Sequence, residues 1–352
     1  MNFTWLKLDP IMRRRLHRFR LIKRGYYSFL LFSLAFVFSM FAEVFINSRA
    51  LFVQYKGEWY FPIYGAVIPG TEFGLDYDYE TNYRDLKKHF ATQGGDDFVV
   101  LPPVPYNAFE NDLPEGEYPP TAPSLESQHF LGTDKAGRDV LARLVFGFRI
   151  CILFSLFYVI CNYMVGVAIG SLMGYFGGKL DLVGQRLIEI WSNIPFLYIV
   201  MIVSSIVVPN FFTLALIMVS FGWMHMTWYM RTAVYKEKTR DYALAARSLG
   251  ATPHRIVFRH IVPNAISMIV TFIPFSVTSG ITALTALDYL GYGLPPPTPS
   301  WGELLSQGTS QFDKPWIVMS VVVAMIVILT LVTFIGEAVR EAFDPKKHTV
   351  FE

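Results

Sequence analysis

The residues best suited to chemistry are sparse in this chain, and their spacing excludes more than it allows. His225 sits in an apolar stretch, while His254 and His260 stand six apart in a polar one, so no HExxH pair exists to hold a catalytic zinc. Cys151 and Cys161 fall ten residues apart in one apolar run. A helix would carry them about 15 Å apart, beyond disulfide reach, so both read as small core residues. No metal site and no cofactor site is expected. The chain lacks a GxxxxGK[ST] phosphate cradle, so any nucleotide energy must come from another subunit. Single Ser and His residues are present, but no nucleophile and base are placed together as a membrane-embedded hydrolase would need. Glu43, Glu189, Asp288 and Glu337 are the ionisable residues nearest membrane depth, and all four lie near the ends of apolar runs. A proton relay needs a chain of such groups at the midplane. That argues against a proton-coupled carrier.

Three groups of polar residues remain: 131–139 ("LGTDKAGRD"), 241–264 ("DYALAARSLGATPHRIVFRHIVPN"), and the hydroxyls Thr271, Ser276, Thr278, Ser279, Thr282 and Thr285. The elements that position them are membrane spans. Hydrophobic residues make up 53% of the chain and charged ones only 16%, against about 25% charged in soluble domains. A helix needs about 20 mostly apolar residues to cross a bilayer. Six stretches qualify: 26–46, 148–175, 188–208, 211–230, 265–290 and 316–336. The fifth is interrupted by Ser, Thr, Gly and Pro274. The expected class is an all-α membrane protein with six transmembrane helices. A net charge of +2 speaks against nucleic acid as a partner.

Lys and Arg near the span ends set the orientation. Arg13, Arg14, Arg15, Arg18, Arg20, Lys23 and Arg24 precede the first span, which places residues 1–25 in the cytoplasm. The loop at 231–264 carries Arg231, Lys236, Lys238, Arg240, Arg247, Arg255 and Arg259 and falls on the same side, as do residues 344–352. Residues 47–146 hold 15 acidic and 8 basic side chains and fall outside. A cleaved signal peptide is the rival for 26–46. Its apolar run and its leader are longer than such peptides have, so a retained anchor is expected. Within the external insert, "LFVQYKGEWYFPIYG" (51–65) has the composition of a hairpin turning at Lys56-Gly57. The segment 101–123 is too Pro-rich for helix or central strand and reads as an extended connector.

The stretch 241–264 reads as two short helices with a corner. Asp241 can cap the first, Ala245 and Ala246 give it a narrow face, and Gly250 fits the left-handed position past its end. Thr252 and Pro253 restart a helix as cap and first residue, and Pro263 is expected to end it before the fifth span. A small-sided corner admits another protein's surface closely. The competing reading is an amphipathic loop resting on lipid headgroups. At 131–139, Arg138 and Asp139 form either a helix cap with a surface ion pair or a contact at the external mouth of the second span. The hydroxyls of the fifth span either line a wet path or pack against neighbouring helices.

Four ordered motifs give a family resemblance. "AARSLG" (245–250) with Pro263 thirteen residues after Gly250 resembles the EAA coupling loop of ABC importer permeases. Leu244 stands where that family usually has Glu, and Asp241, one turn earlier on a similar face, can take its place. "LGTDKAGRDVLARLVFGFRI" (131–150), "LDYLGYGLPPPTPSWGELL" (287–305) and "GEAVREAFDPKK" (336–347) resemble segments of the C-type permease of dipeptide and oligopeptide importers. The resemblance covers about 128–347 and the first anchor, and the long insert with "GEWYFP" looks most like the Yej-type branch. It implies a five-helix core over 148–343 and a type I importer permease fold in the bacterial inner membrane. It implies no enzymatic activity in this chain. It also implies a second permease, two cytoplasmic ATPase subunits, an external substrate-binding protein and a peptide or peptide-like substrate. By the same resemblance Asp241, Leu244, Ala245, Ala246, Gly250, Pro253 and Pro263 belong to the ATPase-coupling loop. Gly132, Thr133, Asp134, Gly137, Arg138 and Asp139 form an external gate or brace. An independent secondary transporter or channel is the alternative; it predicts inverted repeats and midplane ion sites, and neither is visible.

Overall fold

The computed structural model describes residues 10–113, 116 and 118–343. The predicted tail 344–352 and the first nine residues lie outside the described residues. Helices dominate, and one small sheet stands apart from them. In chain order the first elements are α1 (Pro10–Leu21), α2 (Lys23–Met40), α3 (Ala42–Phe45), β1 (Phe52–Tyr55), β2 (Glu58–Tyr60), a 3-10 turn at Gly70–Phe73, α4 (Tyr83–Gln93) and β3 (Phe98–Val100). The main helical body follows with α5 (Val140–Phe176), α6 (Gly178–Ser192), α7 (Phe196–Ile206), α8 (Phe211–Glu237), α9 (Asp241–Ser248) and α10 (Pro253–Arg255). A π-helical run at Ile256–Ile261 leads into α11 (Val262–Tyr289), and α12 (Trp301–Thr309) and α13 (Pro315–Phe343) complete the body.

Among the described residues four helices are long and apolar enough to cross a bilayer, namely α5, α8, α13 and the Ile269–Tyr289 part of α11, and the bent pairs α1–α2 and α6–α7 bring the number to six if each is one span. Two of the expected spans are not single straight helices. The stretch 188–208 divides into α6 and α7, bent by 67°. Pro195 explains the break: it lacks an N–H for the ladder and drives Ile194 out of helical geometry. The first span ends at Met40, and α1 meets α2 at 95°. The second begins eight residues earlier than its hydropathy predicted, because Asp139 caps α5 by accepting from the Ala142 N–H at 2.7 Å.

A core shared by α5, α7, α8, α11, α12 and α13 includes Phe154, Leu214, Ile281, Trp301 and Val321. Apolar side chains facing away from it, such as Met319 and Ile326 on α13, are exposed in the isolated chain, as membrane-facing residues are. The insert has its own core. The sheet runs β2-β1-β3, antiparallel throughout, with Val53 opposite Tyr60 and Val99. Lys56 and Gly57 both take positive φ at the β1–β2 turn, the conformation that a two-residue hairpin requires. Val53, Tyr83, Leu86, Phe90 and Val99 bury one sheet face under α4. Sequence reading identified the hairpin but not α4 or β3. The Pro-rich segment contains no helix or strand among its described residues.

Candidate functional site

The 241–264 elbow is built largely as its residues require, with two differences. Asp241 is the first residue of α9 rather than its cap. Arg240 holds the cap position, and no side chain caps the helix. Gly250 takes φ +79° just past the end of α9, where a side chain would be strained. Thr252 accepts from the Arg255 N–H at 3.4 Å, and Pro253 opens α10. Pro263, however, ends nothing: α10, the π run and α11 follow without a break. A π turn widens the helix where the proline ring would otherwise strike a carbonyl one turn back. Asn264 then donates its side-chain amide to the His260 carbonyl at 2.8 Å. Asp241, Leu244, Ala245, Gly250 and Pro253 are exposed, Ala246 is half-buried, and Leu249 is 88% exposed at the tip.

Behind the elbow, Met230, Val234, Ala243, Ile256, Ile261 and Ala265 form a second core. It seats the corner on α8. The α8 helix is in turn joined to α5 by a seam of glycines that sequence reading passed over. Gly166, Gly170 and Gly174 recur every four residues, and a Cβ on any of them would strike the α8 backbone. It would come within 2.7 Å of the Trp223 carbonyl at Gly166 and 2.6 Å of the Arg231 carbonyl at Gly174. Such small-xxx-small spacing lets two helices approach to backbone contact. Ionic contacts close the seam at the elbow end. Arg231 donates to Asp181 of α6 at 2.6 Å, and Lys238 donates to the carbonyls of Gly174 and Tyr175 at 2.8 and 3.2 Å.

The opposite end of α5 carries the 131–139 motif, about 50 Å away along a 37-residue helix. It is a buried charge knot and not a surface pair. Asp134 and Arg143 are fully buried, and Arg138 is 6% exposed. Arg138 donates to Asp134 and to Glu303 of α12, both at 2.7 Å. Arg143 pairs with the other oxygen of Glu303 and donates to the Ala108 carbonyl at 3.0 Å. Gly132 and Gly137 have positive φ, and a Cβ on either would run into the Thr121 or Asp112 carbonyl. Thr133 accepts from the Thr121 N–H at 2.8 Å, and its own carbonyl accepts from the Trp316 indole at 3.3 Å. The motif therefore ties together the start of α5, α12, the start of α13 and the insert.

A second chain, buried at His129 and Asp139 and half-buried beyond them, runs from the knot into the insert. Asp139 accepts from His129 Nδ1 at 2.8 Å, and Asp112 from His129 Nε2 at 3.3 Å. Arg84 of α4 reaches Asp112 at 3.4 Å and Glu110 at 2.6 Å. Burial alone would push the His129 imidazole down. Its hydrogen bonds with Asp112 and Asp139 outweigh that and raise its pKa to about 9. The bond from His129 likewise holds the Asp112 carboxyl below its ordinary value, against the effect of burial.

The α11 hydroxyls divide. Ser279 and Thr282 are exposed, Thr278 and Thr271 are half-buried, Ser276 bonds the Tyr163 hydroxyl of α5 at 2.9 Å, and Thr285 is buried. Thr278, Ser279 and Thr282 each donate to the carbonyl four residues back. The four ionisable residues at the span ends all have local partners: Glu43 with Arg149, Glu189 with Arg186, Glu337 with Arg24, and Asp288 with Ser300 and the Leu294 N–H. Among the described residues no group of three potential metal ligands occurs.

The chain as a whole is similar to known proteins. Residues 166–349 match the family described as the binding-protein-dependent transport system inner membrane component. The inner membrane ABC transporter permease protein YejE of Escherichia coli (strain K12) is 41% identical over 343 residues, 97% of this chain and 99% of that protein. The peptidoglycan transport system permease protein YejE of Agrobacterium fabrum is 37% identical, covering 96% of this chain and 94% of its own length. The oligopeptide transport system permease protein OppC of E. coli (strain K12) is 34% identical over 71% of this chain and 82% of its length. The chain is a multi-pass inner-membrane protein and belongs to the binding-protein-dependent transport permease family.

Proposed function

We propose that this chain is one of two permease subunits in an ATP-driven importer of peptides or peptide-like compounds. One relative is named for oligopeptide transport and another for peptidoglycan transport, and both of those materials contain peptide bonds. On this reading the insert lies outside the cell and receives substrate from a binding protein. The elbow and both termini lie in the cytoplasm, and two ATPase subunits act there. A second permease completes the path. The observation that carries the reading is the elbow itself. It is exposed, narrow on one side, tipped by Leu249, and continuous with a span through α10 and the π run.

ATP-driven closure of the ATPases displaces the elbow, and α11 moves with it, shifting the balance between inward-open and outward-open states. Asp241 supplies the carboxylate that Leu244 lacks. Ser279 and Thr282, with Thr278 beside them, line the route; their hydroxyls accept from varied peptides and impose no charge. Leu249→Cys, crosslinked in the assembled transporter, tests the reading. A nucleotide-sensitive crosslink to an ATPase subunit supports it. Labelling of that cysteine from outside intact cells removes it.

A further inference from the structure

We propose that α1 is a docking surface for anionic lipid headgroups, lying in the membrane plane at the foot of the first span. The helix meets α2 at 95°, so a span running along the bilayer normal sends α1 across the surface. One side of α1 is held by protein. Arg15 stacks over Phe343 at 4.9 Å, and Phe19 packs edge-on against Tyr26 and Phe29. At 100° per residue the outward side carries Arg13, Arg14, His17 and Arg20, with Leu16 43% and Leu21 67% exposed beside them, and half-buried Arg18 lies at its edge.

Charge complementarity selects the occupant. From Pro10 to Arg24 the sequence has seven Lys and Arg and no acid. Arg24 is paired with Glu337, but Arg13, Arg14, Arg18 and Arg20 make no ion pair among the described residues. Four unpaired guanidiniums within eight residues repel one another until an anion lies between them. The adjoining bilayer surface supplies anions at high density, and guanidinium matches a phosphodiester with two parallel hydrogen bonds. Long arginine stems let the charges reach headgroups, and exposed Leu16 and Leu21 flank the cationic face on either side. This assignment rests on the proposed cytoplasmic placement of α1 for which leaflet is bound, but not for the contact itself.

The test uses the whole transporter extracted with its surrounding lipid in polymer nanodiscs from cells containing phosphatidylglycerol. Native mass spectrometry reads the phosphatidylglycerol retained per complex. Three forms are compared: wild type, R13Q/R14Q/R18Q/R20Q, and R13K/R14K/R18K/R20K. The Gln form is expected to retain at least about fivefold less, roughly the worth of one basic residue near an anionic surface, and the Lys form to retain most of it. Equal retention in wild type and the Gln form overturns the proposal. So does loss of ATPase subunits from the Gln form with phosphatidylglycerol unchanged, which would assign the patch to a protein partner. In parallel, His17→Cys is probed with a membrane-impermeant thiol reagent before and after permeabilisation. Labelling from outside, with lipid retention intact, would overturn the orientation and leave the lipid contact standing.

Discussion

Glu303→Gln should destabilise the insert end of the bundle far more than its position on a nine-residue helix implies. The Glu303 carboxylate gives one oxygen to Arg138 at 2.7 Å and the other to Arg143, and both guanidiniums are nearly or fully buried. With Asp134 the four charges sum to zero; removing one anion leaves a net positive charge out of reach of water. Breaking a buried ion pair from one side costs about 3–5 kcal/mol. At roughly 2 °C per kcal/mol for a chain of this size, the melting temperature falls by about 6–10 °C. Scanning fluorimetry of the assembled transporter, following tryptophan emission, measures it. Arg138→Met on the Glu303→Gln background restores neutrality and leaves Arg143 facing Asp134 at 3.5 Å. The double variant should therefore melt above the sum of the two single losses, since residues in one network couple. A Glu303→Gln melt within 2 °C of wild type, or strictly additive losses, refutes the reasoning.

Gly170→Ala places a Cβ under 3.0 Å from the Thr227 carbonyl, so α5 and α8 must separate. Recovery of intact complex should fall severalfold, while Gly178→Ala, whose added Cβ meets nothing within 4 Å, has at most the small effect of a positive-φ residue. His129 has a folded pKa of about 9 against an ordinary 6.5. Its contribution is complete below pH 6.5 and is lost as pH rises through 9. The melting temperature should fall across that window, and His129→Gln should flatten the fall. Asp241→Asn should lower substrate-stimulated ATP hydrolysis without reducing complex recovery, because Asp241 is exposed; unchanged coupling would return the role to another residue. Thr282→Cys should react with a small impermeant thiol reagent in the assembled transporter and be shielded by substrate. Inertness there would assign the α11 hydroxyls to packing.

Hydropathy made α5, α8, α11 and α13 legible because each places enough apolar residues in sequence to span a bilayer. It could not place the start of α5, since Arg143 looks like a span-ender until its partners are known. Glu303 lies 160 positions away in the chain, and nothing local announces it. The glycine seam was written in the sequence at spacing four. Glycines inside an apolar run pass for filler until the helix they touch is identified. Pro263 misled for a related reason: proline in a helix predicts a stop only where the preceding turns are α, and the π run changes that. In the insert, Lys56-Gly57 fixed one hairpin by turn chemistry. The third strand and α4 depend on Val99 and Phe90 finding Val53, a non-local match.

The two ends of α5 differ in a way that bears on the proposed cycle. At the insert end, Arg138, Arg143, Glu303 and Asp134 lock α5 to α12 through buried charge, and the Trp301 indole donates to the Leu144 carbonyl at 2.9 Å. At the elbow end α5 is bound closely to α8, but the elbow's second arm runs into α11 through a π segment and a proline. A π segment is a weaker, wider turn than the α-helix on either side of it. Displacement of the elbow is then resisted on the α8 side and admitted on the α11 side. The α11 helix meets α5 through apolar side chains such as Val277 and Ile281 in the shared core, the hydrogen bond of Ser276 with Tyr163, and the close approach of Gly280 to Ser155. On the proposed cycle, motion is favoured where apolar packing and single hydrogen bonds can slide, and opposed where buried charges would have to part. On that argument the insert end is the fulcrum and α11 is the lever.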